Sequence, residues 1–182
     1  LGLGAGTVVA PLRHFCQPMD IIAIDSDPLH LQVAQQFFEV SGADITCHCI
    51  DAVKFLRDYQ GEPFDLVIED LFAPADSSVT RAIEASEDWC QSLAALVNQN
   101  GFRVMNFGDW REYRDSWAAS DAARQGFASR FRLSTPDCHN AVLVSSREPV
   151  SSADLRARLQ VDPLTRRALQ DRQLAYQIRR FD

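Results

Sequence analysis

Glycines recur at alternate positions in LGLGAGTVVAPL, residues 1–12, a spacing typical of a loop that binds a nucleotide. A glycine-rich loop between a strand and a helix lets backbone N–H groups come close to a ligand. The dinucleotide fingerprint G-x-G-x-x-G, counted from Gly2 and Gly4, needs its third glycine at Thr7, whereas this chain has Gly6. We therefore expect a nucleoside ligand that lies flat across the loop. A tight turn without a ligand is the alternative.

Acidic side chains follow the loop at the ends of two predicted strands. Asp25 ends the apolar run DIIAID about 20 residues after the loop, where a carboxylate can accept hydrogen bonds from both ribose hydroxyls. Asp27 precedes Pro28, as in a helix N-cap, which leaves Asp25 for the ligand; Asp25 as a cap is the alternative. Asp51 ends the next strand and can cap its helix, bind an adenine amino group, or do both.

Alternating strands and helices are expected to position these residues. Apolar runs predict strands at 20–27, 45–50, 64–70, 102–107, 131–135 and 140–146. Helical spacing predicts helices at 7–16, 28–42, 52–59, 79–97 and 110–131, with a loop at 71–78. Because a glycine loop of this kind follows a strand, we expect a further strand before Leu1. The pattern predicts an α/β fold: a doubly wound, mostly parallel, seven-stranded Rossmann-like sheet with helices on both faces and ligands at the strands' carboxyl ends.

The chain length fits one domain core. Residues 1–148 are interpreted as a nucleoside-donor-binding domain with its first strand incomplete at the N-terminus, and residues 149–182 as a helical extension of it. Two short helices are predicted in the extension, the second opened by Asp162 and Pro163. This segment has seven arginines against four acids, which is typical of a solvated or partner-facing helix pair.

Charge and composition argue against several classes of protein. The net charge of −7 disfavours a nucleic-acid surface, and no apolar run reaches the roughly 18 residues that span a bilayer. Five cysteines without a repeated C-x-x-C predict reduced thiols in the cytoplasm and no metal site. Cys47, His48 and Cys49 are interpreted as part of a buried strand, because His48 would point away from both cysteines.

The motifs LGLGAGT, AIDSDP, CIDAVKFL and FDLVIEDLFAP, in this order, resemble those of class I S-adenosylmethionine-dependent methyltransferases. They are most similar to the spermidine synthase-like branch, which is related to the polyamine aminopropyltransferases, over residues 1–146. The resemblance implies a donor site formed by Gly2, Gly4, Ala5, Gly6, Asp25, Ser26, Asp51, Ala52, Asp70 and Leu71. In that family the glycine loop lines the methionine end of the donor, while Asp25 would hold the ribose and Asp51 with Ala52 the adenine.

Asp70 matches the first acid of the family's D-x-x-D-P motif, which helps to deprotonate and orient the attacking amine in aminopropyl transfer. We expect Asp70 to be the catalytic residue, because Glu69 points to the opposite side of the strand. A structural role, in which Asp70 holds nearby backbone amides, is the alternative. The segment DLFA differs from the Asn/Asp-Pro-Pro-Tyr motif of amino-methylating enzymes, which disfavours nucleobases and glutamine amides as acceptors.

Two positions depart from the spermidine synthase pattern. The family has an aspartate where this chain has Ala5 and a second one where it has Ala73. Each missing acid removes about 1–3 kcal/mol of attraction for a partly buried ammonium. The loop acid would also repel the carboxylate of S-adenosylmethionine, so Ala5 removes the preference for the decarboxylated donor.

These features predict a transferase that binds S-adenosylmethionine, or its decarboxylated form, without a metal, and that methylates a small molecule. Aminopropyl transfer with altered specificity is one alternative, and a non-catalytic member that binds a nucleoside or serves as an interaction module is another. Thr7 disfavours an NAD-dependent oxidoreductase. The expected partner is a small-molecule acceptor, with neither nucleic acid nor membrane, and homodimerisation stays open.

Overall fold

The computed structural model describes residues 1–17, 20–75 and 78–181. Its contacts divide the chain into two units: an N-terminal unit, residues 1–61, and a C-terminal unit, residues 62–182. No helix in the described ranges is long and apolar enough to cross a membrane.

The N-terminal unit contains two parallel strands and three helices. The strands are Ile21–Asp25 (β1) and Ile45–Cys49 (β2), and the helices are Val9–Phe15 (α1), Pro28–Phe37 (α2) and Ala52–Asp58 (α3). Val9, Ala34 and Val40 form its buried core. The pairing of Asp25 with Cys49 puts the carboxyl ends of β1 and β2 at one edge. Pro11 is tolerated in the first turn of α1, where its missing N–H leaves no hydrogen bond unmade.

The C-terminal unit contains most of the strands. They are Phe64–Glu69 (β3), Phe72–Ala75 (β4), Ser78–Arg81 (β5), Val97–Phe107 (β6), Ser129–Ser134 (β7), Ala141–Ser146 (β8) and Gln177–Phe181 (β9). The helices are Glu87–Ala95 (α4), Trp110–Asp115 (α5), Ser152–Val161 (α6) and Pro163–Gln170 (α7), with single 3₁₀ turns at Trp117–Ala119 and Ala122–Arg124.

The α/β class is confirmed, but the single seven-stranded, mostly parallel sheet is not. Hydrogen bonds among the described residues form a five-stranded mixed sheet, in the order β3-β6-β8-β7-β9, and two separate strand pairs, β1-β2 and β4-β5. In the five-stranded sheet only β3 and β6 run parallel. Residues 135–140 between β7 and β8 are too few for the crossover that parallel neighbours need, so these strands pair antiparallel.

Four predicted elements differ in the structure. Residues 72–75 of the predicted loop pair with 78–81, which include the start of the predicted helix, as the antiparallel β4-β5 hairpin; residues 76 and 77 of the predicted loop lie outside the described ones. Helix α4 begins only at Glu87, behind the N-cap Ser86. The helix at 110–131 ends at Asp115, and 3₁₀ turns follow it. The C-terminal segment has its two predicted helices, the second capped by Asp162, but it also adds β9 at the edge of the sheet.

Candidate functional site

The glycine loop is held at the carboxyl end of β1 by hydrogen bonds. The N–H of Gly4 donates to Asp25 Oδ2 at 2.8 Å, and the N–H groups of Gly2 and Leu3 donate to the Ile24 carbonyl at 2.9 and 3.0 Å. Loop and carboxylate, which are 21 residues apart in sequence, are therefore in direct contact, as a nucleoside site requires.

Gly4 and Gly6 serve different purposes in this loop. Both have positive φ angles, 56° and 76°, which favour glycine. A Cβ at Gly6 would lie 2.5 Å from Val40 Cγ2, so Gly6 permits the loop to pack against the core. A Cβ at Gly4 would meet no atom within 4 Å. The open space at Gly4 is where a ligand can approach the backbone.

Asp25 is 7% exposed, and its carboxylate makes three hydrogen bonds to described residues. Besides Gly4, the Asp27 N–H donates to Oδ1 at 2.9 Å, and His30 Nδ1 lies 3.2 Å from the same oxygen. Asp27 caps α2 as predicted, accepting from the Leu29 N–H at 2.8 Å. Because a carboxylate has about four acceptor positions, Asp25 keeps about one for a ligand hydroxyl.

Asp51 and Ser26 lie at the carboxyl ends of β2 and β1, at one edge of this parallel strand pair. Asp51 caps α3, with Oδ1 accepting from the Lys54 N–H at 2.9 Å, and its exposed Oδ2 makes no hydrogen bond to the described residues. Ser26 is exposed just after Asp25, while Ala52 is buried in the first turn of α3. The Ile50 N–H donates to the Asp25 carbonyl at 3.0 Å and joins the ends of the two strands. Capping and ligand binding are therefore compatible roles for Asp51.

In the C-terminal unit, Asp70 is exposed directly after β3 and belongs to a chain of side-chain hydrogen bonds. Asn106 Nδ2 donates to Asp70 Oδ1 at 2.7 Å, and Asn140 Nδ2 donates to Asn106 Oδ1 at 3.0 Å. The Cys138 thiol lies 2.8 Å from Asn140 Oδ1. This chain fixes the orientation of the carboxylate and leaves Oδ2 to accept a proton.

Glu69 points away from Asp70, as the alternation of a strand predicts. It is fully buried and accepts from Arg81 Nη2 at 2.7 Å. Burial raises the pKa of the Glu69 carboxyl. The Arg81 guanidinium also lies 4.7 Å from the Phe107 ring centroid and donates to the Asn106 carbonyl. Arg81 thus ties the β4-β5 hairpin, which follows Asp70 and Leu71, to β3 and β6.

Sequence reasoning missed Asn106, Asn140 and Arg81. A signal for Asn106 was present, because it is a polar residue near the carboxyl end of an otherwise apolar strand segment, VMNF. Arg81 gave no such signal, since its partner Glu69 becomes visible only once the hairpin is folded.

The interpretation of Cys47, His48 and Cys49 as a buried strand is wrong in part. The strand exists, but Cys47 is only half-buried and His48 and Cys49 are exposed. Because His48 and Cys49 face opposite sides of β2, both faces of the strand are open at this end. The described residues contain no group of three or more His, Cys, Asp or Glu side chains that could hold a metal ion.

Comparison with known proteins gives structural likenesses at low sequence identity. No family model matches the chain, and no curated protein matches it either. The structure of human methyltransferase-like protein 13 in complex with SAH matches with a TM-score of 0.64 and 18% identity, covering 93% of this chain and 78% of the other. A probable spermidine synthase from Corynebacterium glutamicum matches with a TM-score of 0.71 and 16% identity, covering 98% of this chain.

A spermidine synthase in complex with the transition-state analogue AdoDATO also matches, with a TM-score of 0.62 and 13% identity over 84% of this chain. The chain spans 64% of the length of the probable spermidine synthase and 53% of the length of this one. These likenesses show a class I methyltransferase-like fold of the kind that spermidine synthases share. The resemblance read from the sequence motifs is confirmed at the level of the fold.

Proposed function

We propose that this chain is a transferase that binds S-adenosylmethionine or a closely related donor and methylates a small molecule. The observation that carries the proposal is the hydrogen bond from the Gly4 N–H to Asp25 Oδ2. It joins the two elements that a nucleoside needs, an open stretch of backbone and a carboxylate at the end of a strand.

The structural neighbours support this kind of donor. Human methyltransferase-like protein 13 was crystallised with SAH, and one spermidine synthase with AdoDATO. The proposed donor site in the N-terminal unit comprises Gly2, Gly4, Ala5, Gly6, Asp25, Ser26, Asp51 and Ala52. Asp70 and Leu71, in the C-terminal unit, are proposed from the motif resemblance alone. Asp25 accepts one ribose hydroxyl with its remaining acceptor position, and Asp51 Oδ2 accepts from the adenine amino group.

Asp70 is the proposed general base. Methyl transfer from a sulfonium is an in-line displacement, so positioning and exclusion of water supply most of the catalysis. A base is needed only where the acceptor must lose a proton. Asn106 keeps Asp70 Oδ1 occupied, so Oδ2 is the atom that takes the proton. No metal has a role in this scheme.

Aminopropyl transfer is the second candidate, favoured by the TM-score of 0.71 to a probable spermidine synthase. Ala5 and Ala73 argue against it, because the acids that would attract a polyamine are missing from both positions. The negative net charge also favours a small-molecule acceptor over nucleic acid. We place the protein in the cytoplasm, with reduced cysteines and without a membrane partner, as part of the same proposal.

Calorimetric titration with S-adenosylmethionine, its decarboxylated form and S-adenosylhomocysteine tests the proposal. We expect S-adenosylmethionine to bind at least as tightly as the decarboxylated donor. Asp25→Asn should weaken binding about tenfold or more, which corresponds to about 1.4 kcal/mol. Asp27→Asn, the same change two residues away on an exposed helix cap, should leave affinity unchanged. If none of the three ligands binds, the proposal is wrong.

Isotopic labelling of the donor distinguishes methyl transfer from aminopropyl transfer. The protein is incubated with a small-molecule extract and either methyl-labelled S-adenosylmethionine or decarboxylated donor labelled in its aminopropyl chain. Methyl transfer predicts label in a small product only from the first donor. Label from the second donor alone would instead establish aminopropyl transfer.

A further inference from the structure

Two buried arginines flank a buried serine in one row of the five-stranded sheet. Arg103 on β6 and Arg130 on β7 are both directly opposite Ser145 on β8. Directly paired residues project from the same face of a sheet, and neighbouring strands are about 4.8 Å apart, so the two arginines start about 10 Å from each other. Arg103, Ser145 and Arg130 are 1%, 0% and 3% exposed.

Each arginine uses only part of its donor capacity. Arg103 Nη1 donates to the Cys90 carbonyl at 3.0 Å, but Nε and Nη2, which share one edge of the guanidinium, have no hydrogen-bond partner among the described residues. Arg130 Nη2 donates to the Tyr113 hydroxyl at 3.1 Å, whereas Arg130 Nε and Nη1 have no hydrogen-bond partner among the described residues. The Ser145 hydroxyl is likewise unpartnered within the described part of the chain.

In the described part of the chain, neither arginine of this row is paired with a carboxylate. Within residues 1–17, 20–75 and 78–181 no carboxylate forms an ion pair with Arg103 or Arg130. Glu69, a buried carboxyl whose charge acts on Arg103, is itself paired with Arg81. Burying a charged group without a counter-ion costs several kcal/mol of folding free energy even after relaxation. Two such arginines in one row therefore favour the binding of an anion.

The other acidic groups near the row stay neutral. Burial raises the pKa of the Cys90 thiol and that of the Tyr113 hydroxyl. Burial lowers the pKa of Arg103 to about 10, and the positive charges of Arg130 and Arg147 act in the same direction. Arg103 is nevertheless protonated at neutral pH. Its guanidinium stacks on the Phe127 ring, 4.5 Å from the centroid, but Nε and Nη2 still have no hydrogen-bond acceptor among the described residues.

We propose that Arg103, Ser145 and Arg130 bind a small monovalent anion, with chloride as the physiological ligand. The free edge of Arg103 provides two parallel N–H donors, the geometry by which guanidinium binds anions. Ser145, in the middle of the row, and Arg130, at its other end, provide further donors. The burial of all three side chains on one face of the sheet favours a monatomic ion over a phosphate or a carboxylate. This site is independent of the proposed donor site and transferase reaction.

Bound chloride would hold parts of the C-terminal unit together. Arg103 already donates a hydrogen bond to the Cys90 carbonyl of α4. Arg130 likewise donates one to the Ala118 carbonyl of the 3₁₀ turn Trp117–Ala119. An anion that binds both guanidiniums would therefore couple α4 and this turn to the sheet. It would stabilise the folded state without entering the chemistry.

Thermal unfolding of the whole chain at constant ionic strength tests the site, with sodium chloride replacing sodium gluconate. We expect the Tm to rise by about 3–5 °C for each tenfold increase in chloride above its Kd. Arg130→Met should abolish this rise, whereas Arg132→Met, two residues along the same face of β7, should keep it. Ser145→Ala, the mildest change, should move the onset of the rise to higher chloride.

Bromide diffraction from crystals of the wild-type protein provides a readout that needs no variant. We expect an anomalous peak within hydrogen-bond reach of Arg103 and Arg130. Absence of that peak overturns the proposal even where Arg130→Met fails to fold. A Tm that depends on ionic strength alone, or a chloride effect equal in wild type and Arg130→Met, also overturns it.

Discussion

Arg81 donates to Glu69 Oε1 at 2.7 Å, with both side chains almost wholly buried. This ion pair connects the β4-β5 hairpin, which follows Asp70 in the chain, to β3 of the five-stranded sheet. Removing one partner of a buried pair leaves the other charge uncompensated. The pair therefore links the stability of the unit to the position of the candidate base.

Arg81→Met should lower the free energy of unfolding by about 3–5 kcal/mol at pH 7. The double variant Arg81→Met/Glu69→Leu should recover most of this loss, because no charge is then left buried. Urea unfolding of both variants measures the effect. A double variant no more stable than the single one would show that the lost packing of Arg81, rather than the charge of Glu69, causes the loss.

The deficit of Arg81→Met should also depend on pH. Burial raises the pKa of Glu69 above its ordinary value of 4.5, and loss of Arg81 raises it further. A group whose pKa is raised by folding stabilises the folded state at low pH, and this contribution is lost as the pH rises through the folded pKa. The deficit should therefore be smaller at pH 5 than at pH 7. Equal deficits at both values would contradict this assignment.

Gly6→Ala should destabilise the N-terminal unit more than Gly4→Ala. Both substitutions place a Cβ at a positive φ, which costs about 1–2 kcal/mol. Gly6→Ala also forces a contact with Val40, worth about 1–3 kcal/mol more. Gly4→Ala has open space, so its larger effect should be on donor affinity measured by calorimetry. The opposite ranking in urea unfolding would show that the loop is packed differently.

Asn106→Ala should reduce turnover about tenfold while the Kd for the donor stays the same. The variant loses the bond that orients Asp70 and the bond from Asn140, but it leaves the glycine loop unchanged. Asp70→Asn should cost more, about 10²–10⁴-fold, when the acceptor must lose a proton. Asn98→Ala is a matched control, since Asn98 makes the same kind of bond to Asp65 elsewhere on the same strand pair. Equal turnover for Asn106→Ala and Asn98→Ala would remove Asn106 from the mechanism.

The sequence predicted those features that depend on local chemistry. Asp27, Asp51 and Asp162 cap helices where their spacing to the following residues indicated, because a cap needs only a side chain and the next turn of backbone. The glycine loop and Asp25 could be assigned to one site because a nucleotide site of this kind combines a glycine-rich loop with a carboxylate at the end of the next strand.

Features that depend on distant partners could not be predicted in this way. Residues 79–97 have an apolar stripe that suits a helix, yet 78–81 pair with 72–75 as a hairpin, and Arg81 then reaches Glu69. The strand β9 was missed for the same reason: its partner, β7, is far away in sequence. Asn106 and Asn140 become neighbours of Asp70 only through the order of the strands in the sheet.

Phe181→Leu tests whether β9 is held by its aromatic contacts. The Phe181 ring is stacked on Trp110, with centroids 5.5 Å apart and planes 7° apart, and lies 5.7 Å from Tyr113. Each aromatic pair is worth about 0.5–1.5 kcal/mol beyond its buried area, so the variant should lose about 1–3 kcal/mol of unfolding free energy. Amide hydrogen exchange should also quicken in β9 and at its partner residues on β7. Unchanged exchange there would mean that the backbone ladder, and not the ring stack, keeps β9 at the sheet edge.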